Sequence, residues 1–490
     1  MRFQNDPEGT RLPIKLDSAS NGEFVPIPLE DIHRRANRLA LQRADTQARK
    51  LGLDRRTFLV SACGVASTLA SLNTAYAAAG RTGGFYELPR ESSFDLHAAR
   101  SAVDGNEFIF DVQGHFVNPT GAWTRSLPPN AKPMQGFARD KRCEPHYGPG
   151  NLDYLRCVGP DQFVKDVFMD SDTDLMVLSF VPSTRQGEPL TIEEAAATAR
   201  IVERLEGTHR LLIHGRVNPN QPGDLEGMDE LASRWKISAW KTYTQWGPGP
   251  EGRGFFMDDE PGIRLIEKAR KLGIRNIAIH KGLAFGPKSY EHSTCVDIGR
   301  VAKRYPDVNF LIYHSGYVAG QKEGPYDATK TDGIDALVRS LADNGIRPNA
   351  NVYAELGSTW RFLMRDPDSA AHGLGKLFKA CGEDNVLWGT DSVWYGSPQD
   401  QIQAFRAFQI ARELREKHGY PEMTPALRAK VFGLNALKVY AVPKEVLQKH
   451  VRDRVALDRG DYRAERPDPT FVTHGPRTRR EFLTLKAWGG

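Results

Sequence analysis

The sequence predicts an α/β protein: a (β/α)8 TIM-type barrel with a long first β–α loop, an N-terminal signal extension and a C-terminal tail. Three observations carry this expectation. Eight short apolar runs alternate with amphipathic helical patterns along the middle of the chain. Polar residues close these runs at a regular pitch: from Lys241 through His280, His314 and Glu355 to Asp391 the gaps are 39, 34, 41 and 36 residues. Each gap suits one strand, one helix and their loops. Several of the closing residues are histidines or carboxylates, which a barrel would gather at the C-terminal ends of its strands.

The elements follow in order. Residues 1–54 read as a polar extension, with a short helix around Leu29–Leu51. Residues 55–79 read as a twin-arginine signal: Arg55-Arg56-Thr57-Phe58-Leu59 leads a stretch without charge from Thr57 to Gly80, and Ala75-Tyr76-Ala77 supplies a small-residue cleavage site. This region is expected to lie outside the fold. The export machinery would be its partner, cleavage would follow Ala77 or Ala79, and the mature protein would be periplasmic or secreted. Asn73 and the many Ser and Thr residues argue against stable membrane insertion.

Residues 80–104 read as a linker and 105–445 as the barrel. Its strands are expected at Phe108–Val112, Leu175–Phe180, Leu211–Val217, Ile237–Tyr243, Asn276–His280, Asn309–His314, Val352–Leu356 and Val386–Asp391. Helical patterns fill Ile192–Leu205, Gly262–Lys271, Val296–Arg304, Ile334–Asp343 and Gly373–Cys381. Asn276, Asn309 and Asn385 each precede an apolar run, as turn residues would at the bottom of a barrel. The Phe116–Asp174 loop is long enough for a lid or a substrate-binding segment. A last helix, Pro425–Tyr440, is expected on the barrel's outside, followed by a basic tail, 446–490.

A net charge of +5 over 490 residues is too weak to point to nucleic acid, and no basic patch interleaves with aromatics. A signal cut after Ala79 leaves Cys143, Cys157, Cys295 and Cys381; an oxidising compartment would allow a Cys143–Cys157 pair or free thiols. None has zinc-finger spacing. The long loop and tail leave room for a homo-oligomer.

A hydrolytic metal site needs neutral imidazoles or carboxylates and one position open to water. His115, His280 and Asp391 supply two nitrogens and a carboxylate from three strands, enough for one divalent ion. Asp391 could also take a proton from the attacking water, and His314 is either a fourth ligand or a separate acid–base group. Lys241 reads as a carboxylated metal bridge or as an anion-binding amine. Glu355 reads as a ligand or as support for one.

The runs themselves resemble a known family. Phe110-Asp111-Val112-Gln113-Gly114-His115-Phe116, Ile279-His280, Ile312-Tyr313-His314-Ser315-Gly316, Leu387-Trp388-Gly389-Thr390-Asp391 and the closing Phe432-Gly433-Leu434-Asn435-Ala436 are similar to the amidohydrolase superfamily. The likeness is to the branch that includes aminocarboxymuconate semialdehyde decarboxylase, and it covers roughly 105–442. It implies a divalent ion, zinc by the family pattern, on His280 and Asp391, with His115 as the second histidine of a first-strand pair and His314 as the catalytic histidine. Gln113 departs from the pattern, standing where the first histidine would be. An amide oxygen is a weaker zinc ligand than imidazole and shifts the expectation toward manganese or magnesium.

Trp123, Tyr243, Trp360 and Trp394 are expected to line a pocket for a small aromatic or cyclic substrate. The function expected is a metal-dependent hydrolase of an amide, ester or lactone. The alternatives are a non-oxidative decarboxylase or hydratase on the same scaffold, or a degenerate binding barrel.

Overall fold

Val, Ile, Leu and aromatic residues dominate the apolar runs, and each run forms a strand buried on both faces, as parallel strands under helices must be. The structure is a computed structural model that describes residues 11–17, 19–126, 153–206, 209–248, 252–284, 290–450 and 473–487. Eight strands lie in sequential order in one parallel sheet. They are β1 (Phe110–Gly114), β2 (Leu175–Leu178), β3 (Leu211–Arg216), β4 (Ile237–Tyr243), β5 (Asn276–His280), β6 (Asn309–Tyr313), β7 (Val352–Glu355) and β8 (Val386–Leu387). The sheet closes on itself: Val112 N donates to Trp388 O at 3.0 Å, Asp391 N to Gln113 O at 3.0 Å and His115 N to Ser392 O at 2.6 Å. Asp111 stitches this seam, accepting from the backbone N–H groups of Gln113 at 3.0 Å and Thr390 at 3.1 Å. Burial pushes its carboxyl up to about 7, against the pull of those hydrogen bonds.

Alternation along the strands divides the core. Phe110, Val112, Leu175, Val177, Ala278 and Leu311 face inward, while Ile277, Ile279, Phe310 and Ile312 pack under the outer helices. The asparagines expected at the barrel's bottom tie its turns: Asn309 Nδ2 donates to Asn276 Oδ1 at 2.8 Å, and Asn385 Nδ2 to Val352 O at 2.9 Å.

Three expectations about the flanks are corrected. The Pro425–Tyr440 stretch does not end on the barrel's outside. Ala436, Leu437, Val439 and Tyr440 join the inward-facing cluster, and Asn435 Nδ2 donates to Glu383 O and Val386 O, both at 2.9 Å, at the start of β8. Residues 80–104 are not a bare linker, because Gly84–Tyr86 pairs antiparallel with Phe408–Ile410 and Leu96–Val103 is helical.

The third correction concerns the N-terminal region, which is built into the body. Helix Asp31–Lys50, close to the expected span, buries Ala36, Ala40, Ala44 and Ala48 as a stripe of four-residue period. Helix Ala62–Ala77 packs against it, with Val65, Leu69, Leu72, Ala75 and Tyr76 in the main core. A weakly apolar Ala/Ser/Thr segment has the composition of an export signal, but it equally suits a helix that must approach another closely. Among the described residues, no helix is long and apolar enough to cross a membrane.

Cys63, Cys295 and Cys381 are buried free thiols. Cys157 is disulfide-bonded; its expected partner, Cys143, lies outside the described residues.

Candidate functional site

The strand ends deliver seven polar side chains to one end of the barrel: Gln113 and His115 after β1, Lys241 on β4, His280 on β5, His314 after β6, Glu355 on β7 and Asp391 after β8. All are at most 2% exposed. Gln113 is central. Its Nε2 stands 3.4 Å from His115 Nε2, 3.4 Å from His314 Nε2 and 3.1 Å from Asp391 Oδ1, while its Oε1 is buried without a hydrogen-bond partner. Turning the amide over would exchange its two atoms and put an oxygen among the same three groups.

The imidazole tautomers follow from their outer partners. His115 Nδ1 donates to Ser179 O at 3.1 Å and His314 Nδ1 to Gly357 O at 2.7 Å, so both Nε2 atoms turn lone pairs inward. Burial holds His314 down at about 4, against the pull of Asp391, and it lowers His280 well below the usual histidine range. Both rings are therefore neutral, the form that binds metals. Burial raises the Asp391 carboxyl, but its contacts with His115, His314 and the Ser358 hydroxyl more than offset this, and its pKa falls.

His115 Nε2 thus faces the Asp391 carboxylate oxygen at 3.2 Å. Two acceptors at that distance need a proton or a cation between them. Atoms bound to one ion at about 2.1 Å stand about 3.0 to 3.4 Å apart in octahedral and tetrahedral geometry. The His115–Asp391, His314–Gln113 and Gln113–Asp391 separations fall in this range, so the donor set fits a divalent ion.

The predicted ligand trio is only partly assembled. Among the described residues, the group of three whose ligand atoms all lie within 4.8 Å of one another is Glu23, His280 and His314, not His115, His280 and Asp391. Glu23 Oε1 lies 3.3 Å from His280 Nε2. His115 and Asp391 form a separate pair, 3.2 Å apart. Sequence reasoning missed Glu23, because it sits in the extension placed outside the fold. The short apolar run Leu12-Pro13-Ile14-Lys15-Leu16 before it was the available signal that this stretch packs.

Sequence reasoning also missed Asn21 and Ser358. Asn21 Nδ2 donates to Asp391 Oδ2 at 2.7 Å and to Glu23 Oε2 at 2.6 Å, and Ser358 Oγ donates to Asp391 Oδ2 at 2.6 Å.

Glu355 spends both oxygens on backbone: Oε2 accepts from His314 N at 3.0 Å and Oε1 from Gly357 N at 2.6 Å. It therefore supports the His314 turn. Burial raises its pKa to about 8, against those hydrogen bonds and Lys241. A Cβ at Gly357 would press on Gln113 Oε1 and Glu355 Oε1, the ends of two buried side chains. The left-handed backbone of His314, Ser358 and Asp391, at φ of 64°, 55° and 58°, concentrates strain at the same place. Lys241 Nζ has no hydrogen-bond partner and lies 3.7 Å from the Tyr313 ring centre. Burial lowers its pKa to about 7, against the charges of Glu355, Glu23 and Asp391.

The expected aromatic lining divides. Tyr243 stacks on His280 at 4.6 Å and Trp394 on His115 at 6.0 Å, so both stand at the site. Trp360 does not: its indole packs on Phe405 and Phe408 and its Nε1 donates to Gln401 O. Trp123 sits in a side cluster with Phe116 and Phe163, its Nε1 bonded to Asn118 O. Both lie in outer packing layers because the segments that carry them turn away from the strand ends.

No curated protein matches the chain. Similar solved structures include an amidohydrolase from Burkholderia multivorans with bound zinc, at 16% identity over 69% of this chain and 100% of that one, with a TM-score of 0.39. Another is 5-carboxyvanillate decarboxylase from Sphingomonas paucimobilis, at 12% identity, covering 69% and 99%, with a TM-score of 0.40. A third is 2,6-dihydroxybenzoate decarboxylase from Rhizobium, at 16% identity, covering 69% and 99%, with a TM-score of 0.41. An amidohydrolase family model matches residues 110–442, the span from β1 to the helix that seals the barrel. With that match, the chain belongs to the amidohydrolase family.

Proposed function

We propose that the protein is a metal-dependent carboxy-lyase, releasing carbon dioxide without oxidation from a small carboxylic acid, aromatic or cyclic. The observation that carries this reading is the state of Asp391. Hydrolysis on this scaffold asks that carboxylate to take a proton from water. Here Oδ2 already accepts from both Asn21 and Ser358. A carboxylate so occupied, with a lowered pKa, is a poor base.

His314 is the better proton carrier, being neutral, fixed through Nδ1 and open at Nε2. A bound divalent ion would supply electrophilic charge for the substrate's carboxylate or an adjacent hydroxyl. His314 takes the hydroxyl proton, and the electron pair moves into the carbon bearing the carboxylate. That carbon receives the proton from His314, and its bond to the carboxylate breaks to release carbon dioxide. The electron pair returns to the oxygen, which regains a proton from solvent. Lys241, an unpartnered buried amine, favours an anionic substrate. Tyr243 and Trp394 offer flat surfaces beside the histidines.

The test is a paired screen of the metal-loaded protein: carbon dioxide release from hydroxylated aromatic acids, against hydrolysis of amides, esters and lactones. Carbon dioxide release that is lost in His314→Ala supports the reading. Hydrolysis alone overturns it in favour of the hydrolase.

For location, we propose that the Arg55-Arg56 string directs twin-arginine export of the folded chain. Arg55→Lys with Arg56→Lys should hold the protein in the cytoplasm, and unchanged delivery would refute the assignment.

A further inference from the structure

The barrel strands alone leave the metal centre one strong ligand short. β1 offers an amide at Gln113, whose Nε2 lies 3.4 Å from both His115 and His314. The pair of His280 and His314 is completed by Glu23, which lies outside the span matched to the family.

Glu23 arrives on a strap that is anchored at several points. Ile14, Leu16 and Phe24 belong to the main core. Lys15 Nζ is buried between Ser397 O at 2.9 Å, Tyr395 O at 3.1 Å and Asp400 at 3.4 Å. Arg361 holds Asp17 Oδ1 at 2.8 Å, and Ser20 N donates to Pro476 O at 2.8 Å.

The last turn of the strap aims the carboxylate. Gly22 N donates to Ser20 Oγ at 2.9 Å, Glu23 N donates to Asn21 Oδ1 at 3.0 Å, and Ser20 Oγ donates to Phe24 O at 2.6 Å. Gly22 takes φ of 95°, a conformation that a side chain would strain. Asn21 then grips Glu23 Oε2 and Asp391 Oδ2 with one amide nitrogen, which leaves Oε1 turned toward His280 Nε2 at 3.3 Å. This is a separation that two ligands of one ion would have, about 3.0 to 3.4 Å.

We propose that Glu23 is a resident metal ligand, delivered from the N-terminal strap in place of the imidazole that Gln113 does not provide, with Asn21 as its positioning residue. The proposal rests on the metal reading of the site. It makes the extension part of the centre. An imidazole, a carboxylate and an amide oxygen suit zinc or manganese alike, with His314 kept beside them for the proton.

The experiment uses the full chain, stripped with a chelator and titrated with Zn2+ and Mn2+ by calorimetry and by metal analysis. Wild type, Glu23→Gln, Asn21→Ala and His280→Ala are compared, with circular dichroism to verify folding. Glu23→Gln keeps size and hydrogen bonding but removes the charge, so affinity should fall by roughly 10- to 100-fold or more, and Asn21→Ala should weaken binding less. Equal affinity in wild type and Glu23→Gln, with His280→Ala defective, overturns Glu23 as a ligand and leaves the barrel site standing. No uptake by wild type overturns both. Unchanged metal binding with raised activity in Glu23→Gln would instead make the strap an inhibitory plug, and likewise overturns the proposal.

Discussion

Acid should loosen the N-terminal helix through His33. This ring is 2% exposed, between helices Asp31–Lys50 and Ala62–Ala77. Its Nδ1 accepts from Glu30 N at 3.2 Å, so the proton sits on Nε2, which faces Arg365 O and the Tyr76 hydroxyl, each at 3.1 Å. A second proton on Nδ1 would meet the Glu30 N–H head-on. Burial and the Arg365 charge lower the pKa from 6.5 to about 4, against the pull of Glu30, the Arg365 carbonyl and Asp366.

The folded pKa is depressed, so between about pH 4 and 6.5 the unfolded state binds more protons and stability rises with pH. The contribution is complete above 6.5, is lost as pH falls through that window, and amounts to roughly 3 kcal/mol in full. At pH 5 the loss is about 2 kcal/mol, an increase of about 30-fold in the population of the undocked helix.

Hydrogen exchange of the Asp31–Lys50 amides, corrected for intrinsic rates, reads this directly when wild type is compared with His33→Gln. The difference between the two cancels every other titrating group. Identical pH slopes in the two proteins would refute the reasoning.

Three further substitutions probe the strap and the centre. Lys15→Met leaves the fully buried Asp400 without its cation and should cost about 3 to 5 kcal/mol in denaturant unfolding, partly recovered by adding Asp400→Asn; an unchanged midpoint would show that Lys15 does not anchor the strap. Gln113→His restores the first-strand pattern and should tighten zinc binding by about tenfold or more in competition with a chromophoric chelator; no change would mean the amide does not face the ion. Lys241→Met removes a buried amine that has no hydrogen-bond partner, so the protein should become more stable by about 1 to 3 kcal/mol while KM for an anionic substrate rises; loss of stability would show the amine to be structural.

The barrel was legible because its signal is local and repeated. Seven of the runs became strands within two residues of their expected bounds, Ile237–Tyr243 and Asn276–His280 matching them, while the last, expected to Asp391, ends at Leu387. The strand-end residues converged because closure forces them to. What stayed hidden depended on long-range geometry. Glu23 reaches the site across 257 residues from His280, and no periodicity reports that approach. Trp360 looked like a pocket residue because it follows Glu355 closely, but helix Thr359–Leu363 turns it outward onto Phe405. The helix Ala62–Ala77 was misplaced because low-charge Ala/Ser/Thr composition fits both a signal and a tight helix pair. The alanine stripe of Asp31–Lys50 was the clue to the helix pairing.

That packing bears on the proposed export. Cleavage after Ala77 or Ala79 would remove the strap, Asn21 and Glu23 together with the helix. Val65, Leu69, Leu72 and Tyr76 are each at most 4% exposed. At about 1.5 to 3 kcal/mol per fully buried side chain, these residues alone contribute about 6 to 12 kcal/mol, comparable to the net stability of a whole domain at about 5 to 15 kcal/mol. Their loss would also uncover the core surface around Phe362 and Leu363. A cut chain would therefore be both metal-poor and unstable, so a protein exported as proposed should retain its N-terminal segment. Intact mass measurement of protein recovered from its own compartment decides this. A mature start at Ala78 or Gly80 in an active, metal-bearing protein would refute both the retention argument and the role given to Glu23.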